Sequence, residues 1–351
     1  MKLPARARDL GLACGSLPTG ELNSIADVPG VRVGHCTLVD GEIRTGVTAV
    51  IPHGGNLYRE KPVAAVHVLN GFGKSAGLVQ VEELGTIETP ILLTNTLSVG
   101  TCWTALVRHA IEHNPDIGRE TSTVNPVVFE CNDGYLNDIQ ALAVMEEDAR
   151  SALASASSQF DVGSVGAGCG MSTFGFKGGI GSSSRRIDLD GQSYHLGILV
   201  LSNFGRSGDL RLPDGRVVAP PEAHTERRAP EKGSIIIIAA TDVPLSDRQL
   251  KRTIRRSGVG IARLGSFWGH GSGDIALGFT TANVLAHDDK SSLAEIRILN
   301  ENRIDLLFEA MADATQEAVL DALAAASSMT GRSGHYRPAL TDALSPSSSD
   351  T

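Results

Sequence analysis

Short apolar runs rich in β-branched residues recur along the first half of the chain, at 47–52, 63–69, 91–95 and 126–130. Gly, Pro, Asn or Asp bounds each of them, as turns bound strands. Between them the apolar spacing changes to that of a helix. Trp103, Leu106, Val107 and Ala110 follow the i, i+3, i+4, i+7 pattern and predict a helix over 100–113. Leu136, Ile139, Ala143 and Met145 predict a second one over 136–150. Strands alternating with helices indicate an α/β protein.

The texture changes after residue 160. Segment 161–184 is dense in glycine and predicts a tight loop followed by an irregular strand. Segment 194–203 alternates and ends on the polar Asn203, as a buried strand would. Residues 205–233 carry four prolines, many charges and no periodicity, which predicts a long exposed loop. That loop runs straight into SIIIIAATD at 234–242, the most apolar stretch of the chain. It is too short and too β-branched for a helix, so it reads as a central strand buried on both faces. Ser246 followed by Gln249 forms a capping-box pattern. Leu250, Ile254, Ile261 and Leu264 supply an apolar stripe behind it, weakened by Gly258 and Gly260. A glycine-rich turn at 268–274 leads to a strand at 275–282. A long helix is predicted over 304–328, with Gly331 as its stop. From Arg332 the tail is rich in Ser, Pro and Asp and is expected to fray over 332–351. There is no internal repeat of fixed period.

Length and composition narrow the function. At 351 residues the chain exceeds one ordinary domain, although large single-core α/β folds reach this size. Lys and Arg number 31 against 40 Asp and Glu, a net charge of −9. That balance disfavours binding to nucleic-acid phosphates or to anionic lipid. With 41% apolar residues but 4% aromatics, the core must be built from Ala, Val, Ile and Leu. The 39 glycines are about 11% of the chain against a usual ~7%, so many positions need close backbone approach or positive φ. Cys14, Cys36, Cys102, Cys131 and Cys169 are widely spaced with no CxxC pair, which reads as reduced thiols in a cytoplasmic protein. No run is long enough for a signal peptide or a membrane span.

Familiar chemistries fall away in turn. His109 and His113 lie four apart on a predicted helix, but nothing in the pattern supplies a third ligand, so no metal is expected. GAGCGM at 166–171 lacks GxGxxG spacing and no GxxxxGK[ST] exists, so no nucleotide cofactor is expected. No GxSxG elbow is present. What remains is the junction Gly233–Ser234. An ordinary loop-to-strand transition with a solvent-facing serine accounts for it locally. The alternative is a self-cleaving precursor in which the Ser234 hydroxyl attacks the Gly233 carbonyl. Gly233 would permit backbone strain and leave room for attack. Cleavage would turn the inert Ser234 amide into an α-amine with a pKa of about 7.7–8.0, suited to act as general base. Nucleophile and base would then share one residue.

Five ordered motifs carry a resemblance. SNFG (202–205), GSIIIIAATDVPL (233–245), GHGSGDIALGF (269–279), ECNDGYLND (130–138) and VGAGCGM (165–171) are similar to those of the DmpA-type N-terminal-serine peptidases. These comprise the L-aminopeptidase/D-esterase-amidases and the β-peptidyl aminopeptidases. ADVPGVRVGHCT at 26–37 fits as well, and the likeness extends from about residue 9 to about 330. It implies a four-layer αββα sandwich, Ntn-hydrolase-like, formed by a single domain over 1–331. It implies autocleavage into 1–233 and 234–351, assembly of the cleaved protomers into a homotetramer, and no cofactor. The substrates would be small peptides or amino-acid amides and esters.

The resemblance also implies roles. Ser234 is the nucleophile and its freed amine the base. Asn203 and Tyr135 suit an oxyanion hole, although from the residues alone Asn203 equally reads as a turn residue and Tyr135 as a packing residue. Ser272 and Asp274 would support the nucleophile; alone, they read as caps of a tight turn. Glu130, with Asp133 close behind, would hold the substrate ammonium. Gly168, Cys169 and Gly170 would line the pocket or form a packing turn. Two departures stand out: Asp274 where some β-peptide-cleaving relatives carry Glu, which leans toward α-amino substrates, and Cys169 where Thr is usual. Two other functions share the fold: an acyltransferase of the ornithine acetyltransferase type, and a non-catalytic binding protein.

Overall fold

The computed structural model describes residues 5–221 and 232–344. One sheet has the order β1 (Arg32–Asp40), β2 (Ile43–Ile51), β4 (Ile91–Asn95) and β5 (Val127–Cys131). The second has the order β3 (Glu60–Gly71), β9 (Gly271–Ala286), β8 (Lys232–Thr241), β7 (Gln192–Asn203) and β6 (Gly179–Leu189). The run at 234–242 is the middle strand of five, as its uninterrupted apolar character predicts. It pairs in parallel with β9 and antiparallel with β7.

The alternation of side chains along β8 explains the layering. Ile236, Ile238 and Ala240 enter a core shared with Val33, Leu93 and Phe129 of the other sheet. Ile235, Ile237 and Ala239 enter a second core that includes Leu250, Ile261 and Leu320. Those three residues lie on helices α4 (Asp247–Ile254), α5 (Ser257–Arg263) and α6 (Asp305–Ala325). Val47, Leu92 and Val128 on the outer face of the first sheet pack with Cys102, Leu106 and Ala152. These come from α2 (Val99–His113) and α3 (Glu146–Ala154). A short α1 (Leu78–Leu84) follows β3. The result is the expected αββα sandwich, with each buried isoleucine contributing roughly 1.5–3 kcal/mol.

Several local expectations change. The predicted helix at 136–150 is a turn with a single 3-10 segment at Ile139–Ala141, and α3 begins only at Glu146. Leu142 there takes φ 49°, which ends any helix. The stripe from Leu250 to Leu264 is split into α4 and α5 at Arg255 and Arg256. The last long helix stops at Ala325, ahead of Gly331. Gly331 serves close approach instead: a Cβ there would lie 2.0 Å from the Leu136 carbonyl oxygen. The expected frayed tail is ordered over 332–344. The Arg332 amide donates to Leu136 O at 2.8 Å and the Lys177 amide donates to Pro338 O at 2.8 Å. Such backbone bonds tie the segment to the body of the fold. The segment 222–231 of the predicted loop and residues 345–351 of the tail lie outside the described residues.

Candidate active site

The strand register brings the site together. Ser234 lies opposite Asn203 on one side of β8 and opposite Gly273 on the other. All three sit where β7, β8 and β9 open into a cavity of about 830 Å³ lined by Ser234, Asn203, Tyr135 and Glu130. The Ser234 hydroxyl donates to the Gly233 carbonyl oxygen at 2.6 Å. Gly233 does not have positive φ, so no left-handed backbone calls for glycine there. Its requirement is steric, because a Cβ would lie 2.2 Å from Asn203 O.

Asn203 is 7% exposed and held at both ends of its amide. Its Oδ1 accepts from the Ser172 amide at 2.9 Å, and its Nδ2 donates to Asn132 O at 2.9 Å. An amide nitrogen carries two hydrogens, so one donor remains. Tyr135 is fixed from outside. His335 stacks on its ring with centroids 4.7 Å apart, and the Arg337 guanidinium lies 3.8 Å from the ring centroid. The His335 Nδ1 also bonds Tyr135 O at 2.7 Å.

Ser272 and Asp274 do not occupy a turn. β9 begins at Gly271, so both are strand residues, paired with Gly233 and Ile235 respectively. The Ser272 hydroxyl donates to Asp274 Oδ1 at 2.7 Å. The β3–β9 pairing shifts register between Asp274 and Ile275, a local irregularity that re-aims side chains beside a site. Asn70 on β3 pins the approach by donating to Gly269 O at 3.0 Å and to Ser272 O.

The two candidate acids separate cleanly. Glu130 lines the cavity; its Oε1 accepts from the Lys74 amide at 2.8 Å and its Oε2 from the Thr96 hydroxyl. Asp133 is 1% exposed and outside the cavity lining. Its Oδ1 accepts from Asn137 Nδ2 at 3.1 Å, while its Oδ2 meets no hydrogen-bond partner among the described residues. Burial pushes its carboxyl up to about 7. The expectation that Gly168, Cys169 and Gly170 line the pocket is also corrected. All three are buried and none lines the cavity. They form a packing turn, in which a Cβ on Gly168 would meet Ile180 N at 2.5 Å and one on Gly170 would meet Arg44 O at 2.2 Å. Lys177 fastens that turn, its buried ammonium donating to Gly168 O at 3.0 Å and Gly178 O at 2.7 Å. Burial pushes that lysine down to about 7.

The reading of the sequence missed Thr96, Asn132, Ser172, Arg332 and Arg337. Each is a lone polar residue in a loop or strand end, and the two arginines stand in a segment whose composition suggests fraying. His109 and His113 do stack, with centroids 4.4 Å apart. Among the described residues no group of three or more His, Cys, Asp or Glu could hold a metal ion. All five cysteines are free thiols. Among the described residues no helix is long and apolar enough to cross a membrane.

Known proteins resemble this chain over most of its length. The Peptidase family S58 model matches residues 23–337. A beta-peptidyl aminopeptidase, BapA, of Sphingosinicella microcystinivorans is 38% identical, with 94% of this chain and 88% of the relative covered. The BapA of Sphingosinicella xenopeptidilytica is 36% identical, with 93% and 86% covered. The crystal structure of the PH0078 protein from Pyrococcus horikoshii OT3 superposes with a TM-score of 0.90 at 47% identity, covering 97% of this chain and 98% of that one. The L-aminopeptidase D-Ala-esterase/amidase from Ochrobactrum anthropi, described as a prototype serine aminopeptidase and a variant of the Ntn hydrolase fold, gives 0.86 at 36% identity, with 95% of each chain covered. With most of its length matched, its sandwich superposed and a serine at the mouth of the central strand, the chain belongs to peptidase family S58 and is a serine hydrolase of the aminopeptidase/amidase kind.

Proposed function

We propose that this aminopeptidase processes itself between Gly233 and Ser234 and then works with the serine it has exposed. The observation that carries the reading is the Ser234 hydroxyl 2.6 Å from the Gly233 carbonyl oxygen, at the end of a buried strand that opens into the cavity. In the first step Oγ adds to the Gly233 carbonyl carbon. The C–N bond breaks, the hydroxyl proton passes to the Ser234 nitrogen, and an ester remains. Water hydrolyses the ester, leaving a carboxylate on Gly233 and a free amine on Ser234.

The same groups then act on substrate. The Ser234 amine takes the proton from its own hydroxyl as Oγ attacks the scissile carbonyl. Asn203 and Tyr135 donate to the developing oxyanion, where each lost donor typically costs about 10²–10³ in kcat. The Ser272–Asp274 pair flanks the cleaved junction and orients the amine. Glu130, rather than the buried Asp133, receives the substrate's ammonium. Protonated amine returns its proton to the leaving group, and water releases the acyl residue. The substrate class is short peptides, amides or esters with a free amino terminus. The shorter acid at Asp274 leans the choice toward α-amino residues, which a comparison of L-alanyl and β-alanyl amides decides.

The decisive experiment is Ser234→Ala. It leaves a single 36.8 kDa chain with no turnover of L-alanine p-nitroanilide. The parent separates into 1–233 and 234–351 on denaturing mass spectrometry. If Ser234→Ala still splits at that bond, host proteolysis of the preceding loop is the better account.

A further inference from the structure

Tyr135 takes its place from a distant part of the chain. Gly134, Tyr135 and Leu136 follow the end of β5 and offer three successive backbone carbonyls. One segment beyond residue 330 takes all three. Arg332 Nε donates to Gly134 O at 2.7 Å, His335 Nδ1 bonds Tyr135 O at 2.7 Å, and the Arg332 amide donates to Leu136 O at 2.8 Å. His335 also lies parallel to the Tyr135 ring, at an interplanar angle of 11°, and the Arg337 guanidinium is 3.8 Å from the same ring centroid. Stacking and cation–π contact fix an aromatic ring by its faces. None of these contacts uses the Tyr135 hydroxyl.

The segment that does the holding is itself well made. Met329–Thr330 pairs with Tyr336–Arg337 as a short hairpin. The Gly331 amide donates to His335 O at 2.8 Å across its turn, where Ser333 and Gly334 take positive φ of 52° and 76°. The first sheet moors the hairpin: Arg44 Nε donates to Thr330 O at 3.2 Å, and the Ser333 amide donates to Glu42 Oε1 at 2.7 Å. The same segment reaches the other candidate oxyanion donor. Arg337 Nε donates to Ser172 Oγ at 3.3 Å, and the Lys177 amide donates to Pro338 O at 2.8 Å. Ser172 and Lys177 face each other in a second small hairpin, and the Ser172 amide is the group that holds Asn203 Oδ1. One strap thus grips both segments that present Asn203 and Tyr135. In the cleaved enzyme proposed above, the strap lies on the smaller chain with Ser234, and both donors lie on the larger.

We propose that the hairpin 329–337 positions the oxyanion hole, and that His335 is a positioning residue acting through Tyr135. His335 does not line the cavity, so its effect on turnover passes through the ring it stacks on and the carbonyl it bonds. This inference rests on the reading above in which Tyr135 donates to the developing oxyanion. An interaction made only in the transition state lowers kcat and kcat/KM together. His335 should therefore act on kcat and leave KM near the parental value.

The test is a double-mutant cycle on L-alanine p-nitroanilide, with rates taken per cleaved chain. Tyr135→Phe removes the hydroxyl and should lower kcat about 100-fold. His335→Ala leaves the hydroxyl in place but loosens it, and should lower kcat about tenfold. The double variant should fall little below Tyr135→Phe alone, because the placement of the ring no longer matters once its donor is gone. His335→Phe keeps a ring to stack and loses the bond to Tyr135 O, so its kcat should lie between those of His335→Ala and the parent. The same cycle run with His335→Phe serves if His335→Ala folds poorly. A His335→Ala enzyme with parental kcat overturns the proposal. So does a loss that multiplies in full on top of Tyr135→Phe, as independent sites would. If Tyr135→Phe alone keeps the parental kcat, the oxyanion role of Tyr135 falls and takes the positioning role with it, a result that this single variant reveals.

Discussion

The steric requirement at Gly233 supplies the sharpest test of self-processing. In Gly233→Ala the new Cβ would sit 2.2 Å from Asn203 O and 2.9 Å from Phe204 Cα. Ordinary contact begins near 3.4 Å, so the backbone at 233 must retreat by about 1.2 Å. Neither obstacle is a flexible side-chain tip; both are backbone atoms of the segment that ends β7. The carbonyl that Ser234 would attack therefore moves relative to the Ser234 hydroxyl, which now lies 2.6 Å from the carbonyl oxygen. A misplacement of ~1 Å costs on the order of 10²-fold in a positioned reaction. The expected result is accumulation of the intact chain, with cleavage at 233/234 slowed about 100-fold. Timed denaturing mass spectrometry after rapid purification measures it. Once cleaved, residue 233 is only the end of the larger chain, so turnover per cleaved site should stay near that of the parent. Cleavage of Gly233→Ala at the parental rate would refute the argument that this contact sets the attack geometry.

Other outcomes follow from the same geometry. Glu130→Gln removes a negative charge from the cavity and should raise KM for L-alanine p-nitroanilide about 10-fold or more, with kcat changed less, as steady-state kinetics would show. Asp133 is held up to about 7 by burial, whereas an unfolded aspartate titrates near ~3.9. Between these values the native state keeps a proton that the unfolded chain has lost. Stability contributed by this group thus falls as pH rises through that window and levels off above about 7. Lys177, pushed down to about 7 by burial, acts in the opposite sense from there upward, because the unfolded chain then holds the extra proton. Urea midpoints across pH 4.5–7 should lose this slope in Asp133→Asn. Ile237→Ala empties a fully buried position in the core between the second sheet and its helices. It should cost about 2–5 kcal/mol in urea or thermal unfolding.

The sequence by itself determined what neighbouring residues decide together. The β-branched run at 235–240 could only be a strand covered on both faces, and alternation along it already implied two cores. The capping pair Ser246 and Gln249 marked the start of α4, where the Ser246 hydroxyl accepts from the Gln249 amide. The Gly233–Ser234 junction and the motifs around it point to Ser234 as the candidate nucleophile. Tertiary structure decided everything that depends on residues meeting from distant parts of the chain. Glu130 and Asp133 are three apart and chemically alike, yet one faces the cavity and the other lies beneath Gly170. Ser272 and Asp274 look like turn residues until β8 pairs with them and extends the strand. Gly168 and Gly170 resemble a ligand loop, but backbone atoms of Ile180 and Arg44 occupy the space next to them. Arg332 and Arg337 are polar residues in a tail whose composition suggests disorder. They become part of the cavity only because Leu136, Tyr135 and Ser172 give them partners. Propensity and burial pattern act over a few residues and can be read in order. A cavity is the space left where several elements end, and its lining depends on long-range packing that no local window contains.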